Sequence, residues 1–372
     1  MPGAVYSPFA DKLNDPDRKL FALHVGDTSL EPCDALRMSG LDPARHPGLY
    51  SYTDTRGLPK LIDAILDKVR DRNGLTAERT SVLVTAGATA GLQCVAGAVV
   101  DPGDEVLILA PFWPLIRCIV QSFGGKPVEV PFFDRVSSAE EAVAAVRQRI
   151  TSRTVALYVS TPSNPTGKIL PREWLEALAE LARSADLWLW SDETYEDYVY
   201  EGEHFSVGAL VPDRTVSVYS FSKAYGVAGL RVGYLVAPAA LIDQARKLGT
   251  HSFYAAPTPS QYAALGALQG GAAWIRGARE QYRDVGTKVA ALLGLPAPRG
   301  STFLFVDVSK QLDARGMMGL LSDCFESGVL IAPGASCGTD YADWIRLCYT
   351  AIPPAAALEA VQRLVPHLRT ER

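Results

Sequence analysis

The chain has 372 residues, 48% of them hydrophobic and 21% charged, with a formal net charge of −5. That length exceeds what one hydrophobic core organises, which excludes a small binding module, and the apolar share excludes a disordered chain. The acidic balance lacks the basic excess that sequence-independent nucleic-acid binding requires, so no nucleic-acid partner is expected.

Residues 1–11 contain no basic segment followed by an apolar run, so no secretory leader is expected. Over 58–72, Leu61, Ile62, Ile65, Leu66 and Val69 recur at helical spacing. The stretch 80–100 is uncharged and long enough to span a bilayer, but its content predicts something else: a β-branched strand at 82–85, a break at Gly87 and a small-residue helix from Thr89. No membrane span is expected. A turn at Asp101-Pro-Gly-Asp104 precedes a strand at 106–109, a helix at 114–123 and a strand at 128–130. The alternation continues with a helix at 139–150, a strand at 155–159, a helix opened by Pro171 in its first turn, and strands at 187–190, 215–219 and 231–236. Alternation of this kind predicts an α/β fold with a mainly parallel sheet covered by helices on both faces, whose ligands sit at the strand ends. After Lys247 the texture changes to a Pro-containing segment at 255–261, an Ala-rich helical stretch, and strands at 303–308, 329–331 and 345–349. That pattern predicts a smaller α+β domain. The expected division is an N-terminal arm and part of the small domain at 1–45, a large domain at 46–250 and the rest of the small domain at 251–372.

Six cysteines, at 33, 94, 118, 324, 337 and 348, include no C-x-x-C pair, and the five histidines show no H-E-x-x-H spacing. No metal site is expected, and the scattered thiols suit a reducing, cytoplasmic compartment.

Two readings of the chemistry compete. Gly334-Ala-Ser-Cys-Gly338 matches the G-x-S-x-G turn of serine hydrolases, with Asp340 or Asp343 and His367 following Ser336 in the right order. Only 36 residues follow Ser336, too few for the strands that separate such partners, and a glycine-rich turn is the better reading. The stronger signal is 220–233, where Lys223 stands between hydroxyl residues just beyond a strand, with Arg231 eight positions on. A lysine there can hold an amine near a phosphate that Arg231 grips with its planar fork. Upstream, Asp192-Glu-Thr-Tyr195 and Asn164-Pro-Thr-Gly167 add an anion, a phenol and an amide at successive strand ends.

In that order the motifs S-N-P-T-G, D-E-x-Y and S-x-S-K-x-x-G-x-x-G-x-R-x-G resemble those of the pyridoxal-phosphate enzymes of fold type I, and within them the class I/II aminotransferases of the aspartate aminotransferase superfamily. The resemblance covers nearly the whole chain. It implies pyridoxal 5′-phosphate as cofactor, and transfer of an amino group between an L-amino acid and a 2-oxo acid by a ping-pong cycle. Lys223 becomes the amine that bonds the cofactor aldehyde and later moves a proton, and Asp192 the partner of the pyridine nitrogen. Tyr195 and Asn164 become donors to the ring oxygen, and Trp113 the aromatic stacked on the ring. Gly87, Ala88 and Thr89, with Ser220, Ser222 and Arg231, become the phosphate site. Tyr52 takes the place of a tyrosine that reaches the neighbouring subunit's phosphate, which implies a homodimer with shared sites. Arg346 and Gly26 match the groups that bind the substrate α-carboxylate, and Asn164 adjoins it. Tyr50, Thr28 and Tyr254 are candidates for the side-chain pocket. The segment 26–33 is only loosely like the family's G-E-P-x-F loop, and no residue matches a second arginine for a dicarboxylate substrate. The same cofactor apparatus also serves lyases, decarboxylases and cyclases.

Overall fold

The computed structural model describes residues 18–368. Residues 1–11, on which the expectation about a leader rests, lie outside the described residues, as do the outermost parts of the expected terminal segments. The strand β1 (Phe21–Ala22) opens the described chain. Seven further strands form the large sheet: β2 (Val82–Thr85), β3 (Glu105–Ala110), β4 (Lys126–Pro131), β5 (Thr154–Ser160), β6 (Trp188–Asp192), β7 (Thr215–Ser220) and β8 (Gly233–Val236). Their order is β2-β8-β7-β6-β5-β3-β4.

Pairing is parallel from β4 through β3, β5 and β6 to β7, whereas β8 runs antiparallel to both β7 and β2. Between β7 and β8 the chain forms only the one-turn helix Phe221–Ala224 and the short turn Ala228–Leu230, not a full helical crossover, and returns antiparallel. Arg231, expected inside a strand, instead precedes β8 with φ at 49°. Gly233 then opens β8 where a Cβ would meet the Tyr219 carbonyl at 2.6 Å and the Ala88 nitrogen at 2.9 Å.

Because helices cover both faces, the central strands are apolar throughout rather than alternating; five consecutive residues of β3, from Val106 to Ala110, are buried. On one face pack the helices Ala88–Val99, Leu115–Gln121 and Ala239–Ser252; on the other, Ala139–Arg147 and Arg172–Ser184. The helix Pro59–Asn73, whose apolar stripe is the expected one, shares a third cluster with Thr258–Gly270. Pro171 caps its helix rather than lying in the first turn. The helix at Thr258 begins inside the proline-containing segment, and Pro259 is tolerated there because a missing N–H in the first turn loses no helical bond.

The rest of the chain builds a smaller layer. There β9 (Phe303–Asp307), β11 (Ala332–Pro333) and β12 (Trp344–Cys348) pair antiparallel in the order β11-β12-β9, and β10 (Val329–Leu330) runs parallel to β1. The strand expected at 329–331 is thus shortened to Val329–Leu330, and a separate short strand follows at Ala332–Pro333 in the other sheet. The helices Ala272–Leu292, Gly316–Glu326 and Pro354–Leu368 cover this layer in one core with Phe303, Ile345 and Leu347. Among the described residues no helix is long and apolar enough to cross a membrane.

Candidate active site

The parallel strands open their C-terminal ends onto one crevice. Asp192 ends β6, and Ser220 ends β7, where its hydroxyl accepts from the Ser222 N–H (3.1 Å) and caps the one-turn helix Phe221–Ala224 that carries Lys223. Gly87 sits between β2 and the helix Ala88–Val99 with φ at 84°, a conformation suited to glycine. The smaller layer contributes Arg346 from β12, and the arm contributes Gly26. A cavity of about 200 Å³ is lined by Gly26, Ala88, Thr89, Trp113, Asn164, Asp192, Tyr195, Ser220, Ser222, Lys223, Arg231 and Arg346. A larger groove of about 830 Å³ runs beside the helix Pro59–Asn73, but it is open and walled mainly by charged side chains of both signs.

Asp192 is 7% exposed, and its two oxygens accept from the Tyr158 hydroxyl (2.6 Å) and the Thr194 N–H (3.1 Å). Burial pushes this carboxyl up from its ordinary range, against the pull of those donors. Lys223 donates to the Gly26 carbonyl at 2.5 Å and lies 3.5 Å from an Asp27 oxygen. Burial lowers its amine, and Asp27 works the other way. Burial also raises the Tyr195 phenol, which keeps it a neutral donor. Arg346 donates from one terminal nitrogen to Asn164 Oδ1 and from the other to the His24 carbonyl, both at 3.0 Å, while its plane lies 4.7 Å from the Phe303 ring centre. Its buried Nε has no partner. A Cβ at Gly26 would stand 3.0 Å from the Phe303 ring, so a larger residue there would have to displace that ring for the arm to approach this closely. Arg231 donates to the carbonyls of Ala228 (2.9 Å) and Ala86 (3.4 Å), and a Cβ at Gly87 would stand 2.4 Å from its Nη2.

Behind the crevice lies a buried polar network. Glu193 accepts from Ser191 and Ser206 and meets His204 Nε2 at 2.8 Å; Glu196 pairs with Lys68 and accepts from Asn73 (2.7 Å); Asp197 pairs with Arg72. Glu193, Glu196 and His204 lie close enough to share a metal ion, but Lys68 already supplies the cation that balances Glu196. Burial alone would raise the Glu196 carboxyl; Lys68, Arg72 and His204 outweigh it and hold the group at about 2. A carboxyl held below its unfolded value of ~4.3 contributes stability above that value and loses it as pH falls toward the folded one. Lys68→Met is expected to cost about 3 kcal/mol in urea unfolding and to move acid unfolding to higher pH, because it removes the cation that pairs directly with a buried carboxylate.

Most sequence-derived candidates converge, but not all. Tyr52 is 85% exposed and packs on Tyr254 (4.8 Å between ring centres), and neither these two nor the exposed Tyr50 lines this chain's cavity. Ser336 has no triad: its hydroxyl donates to the Pro333 carbonyl (3.1 Å), and His367 bonds Ser327 instead (2.8 Å). Tyr158, Phe303 and Asp27 are contributors that the sequence reading missed. The first two look like ordinary core aromatics in apolar strands, and Asp27 falls in the loop with the weakest resemblance.

This geometry defines an enzyme of the aminotransferase class. A family model described as aminotransferase class I and II matches residues 18–364, and the chain belongs to that family. It is 36% identical over 338 residues, 89% of this chain and 87% of the relative, to a probable aspartate/prephenate aminotransferase of Thermus aquaticus. It is 34% identical, over 88% of this chain and 85% of the relative, to an arginine–pyruvate transaminase of Pseudomonas aeruginosa. The solved aspartate aminotransferase of Thermus thermophilus with maleate superposes with a TM-score of 0.87 at 32% identity, covering 97% of this chain and 95% of that one. These relatives do not favour the lyase, decarboxylase, cyclase or hydrolase alternatives.

Proposed function

We propose that the cavity binds pyridoxal 5′-phosphate and serves transfer of an amino group between an L-amino acid and a 2-oxo acid in two alternating half-reactions. The observation that carries this is the convergence of Asp192, Lys223, Arg231 and Arg346 on one cavity of about 200 Å³. The cofactor fits the residues present. At one end, Gly87 leaves room that a Cβ would fill, beside Arg231 and the free N–H groups that open the helix Ala88–Val99, which suits a phosphate. At the other end, the buried Asp192 carboxylate suits a protonated ring nitrogen.

When bound, the cofactor supplies an electrophilic aldehyde and a ring that withdraws electrons from the substrate Cα. Asp192 would keep the ring nitrogen protonated, Tyr195 and the Asn164 amide N–H would donate to the ring oxygen, and Trp113 would supply an aromatic wall for the ring. Lys223, its amine rendered less basic by burial, takes the proton from the substrate Cα and returns it on the other side of the transferred nitrogen. Arg346 binds the substrate α-carboxylate through its two-nitrogen fork, with Asn164 orienting that fork.

The same proposal includes a homodimer in which Tyr52 completes the partner's phosphate site, supported by the exposed Tyr50, Tyr52 and Tyr254 side chains on one surface. It also divides the chain at about residues 45 and 250 into arm, large and small domains. A reducing cytoplasmic compartment is supported by six cysteines none of which is paired. The test is spectral. Titration of the cofactor-loaded protein with an amino acid is expected to convert its absorption band to that of the amine form, and a 2-oxo acid to restore it. Release of CO₂, ammonia or pyruvate without restoration overturns the proposal.

A further inference from the structure

Asp192 lines the cavity at a depth where a negative charge is costly, and burial works against its ionised form. Its two oxygens are held by donors of different origin. The Thr194 N–H reaches Oδ1 from two positions along the chain, whereas the Tyr158 hydroxyl reaches Oδ2 from another strand, at 2.6 Å. The neighbouring acid, Glu193, is engaged elsewhere, with Ser191, Ser206 and His204. The peptide unit at Asp192 is fixed as well: its carbonyl accepts from the Thr161 N–H at 3.1 Å.

Register puts the phenol there. In the parallel pair β5–β6, Tyr158 stands opposite Trp190 and Ser160 opposite Asp192, and alternate residues share a face. The short Ser160 side chain makes no hydrogen bond to the carboxylate it faces, and the longer Tyr158 reaches it diagonally. Tyr158 is 1% exposed and packed in the core with Trp190, Val218 and Leu235, so its ring has little freedom to turn away. Burial and the Asp192 charge raise its phenol well above the ordinary range, and the hydroxyl stays a neutral donor. A donor aimed at a carboxylate favours the charged form over the protonated one. Under the proposed function Asp192 and the cofactor's ring nitrogen share one proton, which either sits on the nitrogen, giving an ion pair, or on the carboxyl, giving a neutral pair. Burial favours the neutral pair, and Tyr158 opposes it.

We propose that Tyr158 is a positioning residue that acts through Asp192 to keep this shared proton on the ring nitrogen. This rests on the cofactor reading of the site. The test is Tyr158→Phe, which keeps the ring and its packing and removes only the hydroxyl. Nitrogen-15 NMR of the holoenzyme loaded with ring-labelled pyridoxal 5′-phosphate is expected to show a protonated nitrogen in the wild type and a shift toward the unprotonated position in the variant. A second readout is the ratio of Kd values for the cofactor and for its analogue with C–H in place of the ring nitrogen. The wild type is expected to prefer the cofactor, and Tyr158→Phe to narrow that preference by about tenfold, the order that a hydrogen bond to a charged group carries. In an Asp192→Asn background the same substitution is expected to change the ratio by less than about twofold, because the carboxylate it acts through is gone. A purely structural role would lower stability in urea and leave both readouts unmoved. An unchanged nitrogen signal and Kd ratio in Tyr158→Phe, or an equal narrowing in the Asp192→Asn background, overturns the assignment. A wild type that does not bind the cofactor, or binds it with an unprotonated ring, overturns the reading of the site itself.

Discussion

Lys223→Ala is expected to lower turnover by at least about 10⁴-fold while the protein folds and still retains cofactor. The magnitude reflects two losses at one atom: the amine that bonds the cofactor, and the base that moves the substrate proton, itself worth 10²–10⁴-fold. Retention is expected because the phosphate and ring contacts come from other residues: the start of the helix Ala88–Val99, Arg231 and Asp192. Steady-state rates and the absorption of bound cofactor measure the two effects separately. Borohydride reduction and peptide mapping of the wild type are expected to label Lys223, and a label on another lysine would displace it from this role.

Asp192→Asn is expected to cost about 2.7–4 kcal/mol in the proton-transfer step, a drop of 10²–10³ in kcat, as when a preorganised electrostatic group is removed elsewhere. An amide keeps the shape but cannot hold the ring nitrogen protonated. The effect on folding has the opposite sign. Burial raises the Asp192 carboxyl, so its ionised form at neutral pH weighs against the folded apoprotein, and that cost grows as pH rises above the unfolded value. The cofactor-free variant should thus be at least as stable as wild type at pH 7, by urea unfolding. Loss of rate together with loss of stability would mark Asp192 as a structural residue. Near-normal kcat would remove it from the chemistry.

Much of this was legible in the sequence because the large sheet is assembled from consecutive strand–helix units. A run such as Val106-Leu-Ile-Leu109 carries its own signal, and the motifs at 164, 192 and 223 fall at strand ends where a crevice must lie. What escaped detection had no local signal. The two-residue strands β1 and β11 are too short for a period, and the antiparallel turn of β8 depends on which neighbour it finds. Tyr158 supports Asp192 from the adjacent parallel strand, 34 positions away, a relation created by register rather than by spacing. The network of Lys68, Arg72 and Asn73 on Glu196 and Asp197 reads in sequence as a charged helix face and only in three dimensions as the brace behind Tyr195.

The long reach of the contacts at the cavity also dictates when in the life of the chain the site can be closed by its arm and its smaller layer. The Lys223–Gly26 bond spans 197 positions, Arg346–Asn164 spans 182, and Arg346–His24 spans 322. Contacts so distant in sequence form late, after loop closure has been met by the sheet and both helical layers. A growing chain that has not yet made β12 lacks Arg346, the clamp that draws the arm over the site. Closure of the Arg346 end is in this sense a maturation mark: it distinguishes finished molecules from truncated ones that already contain Lys223.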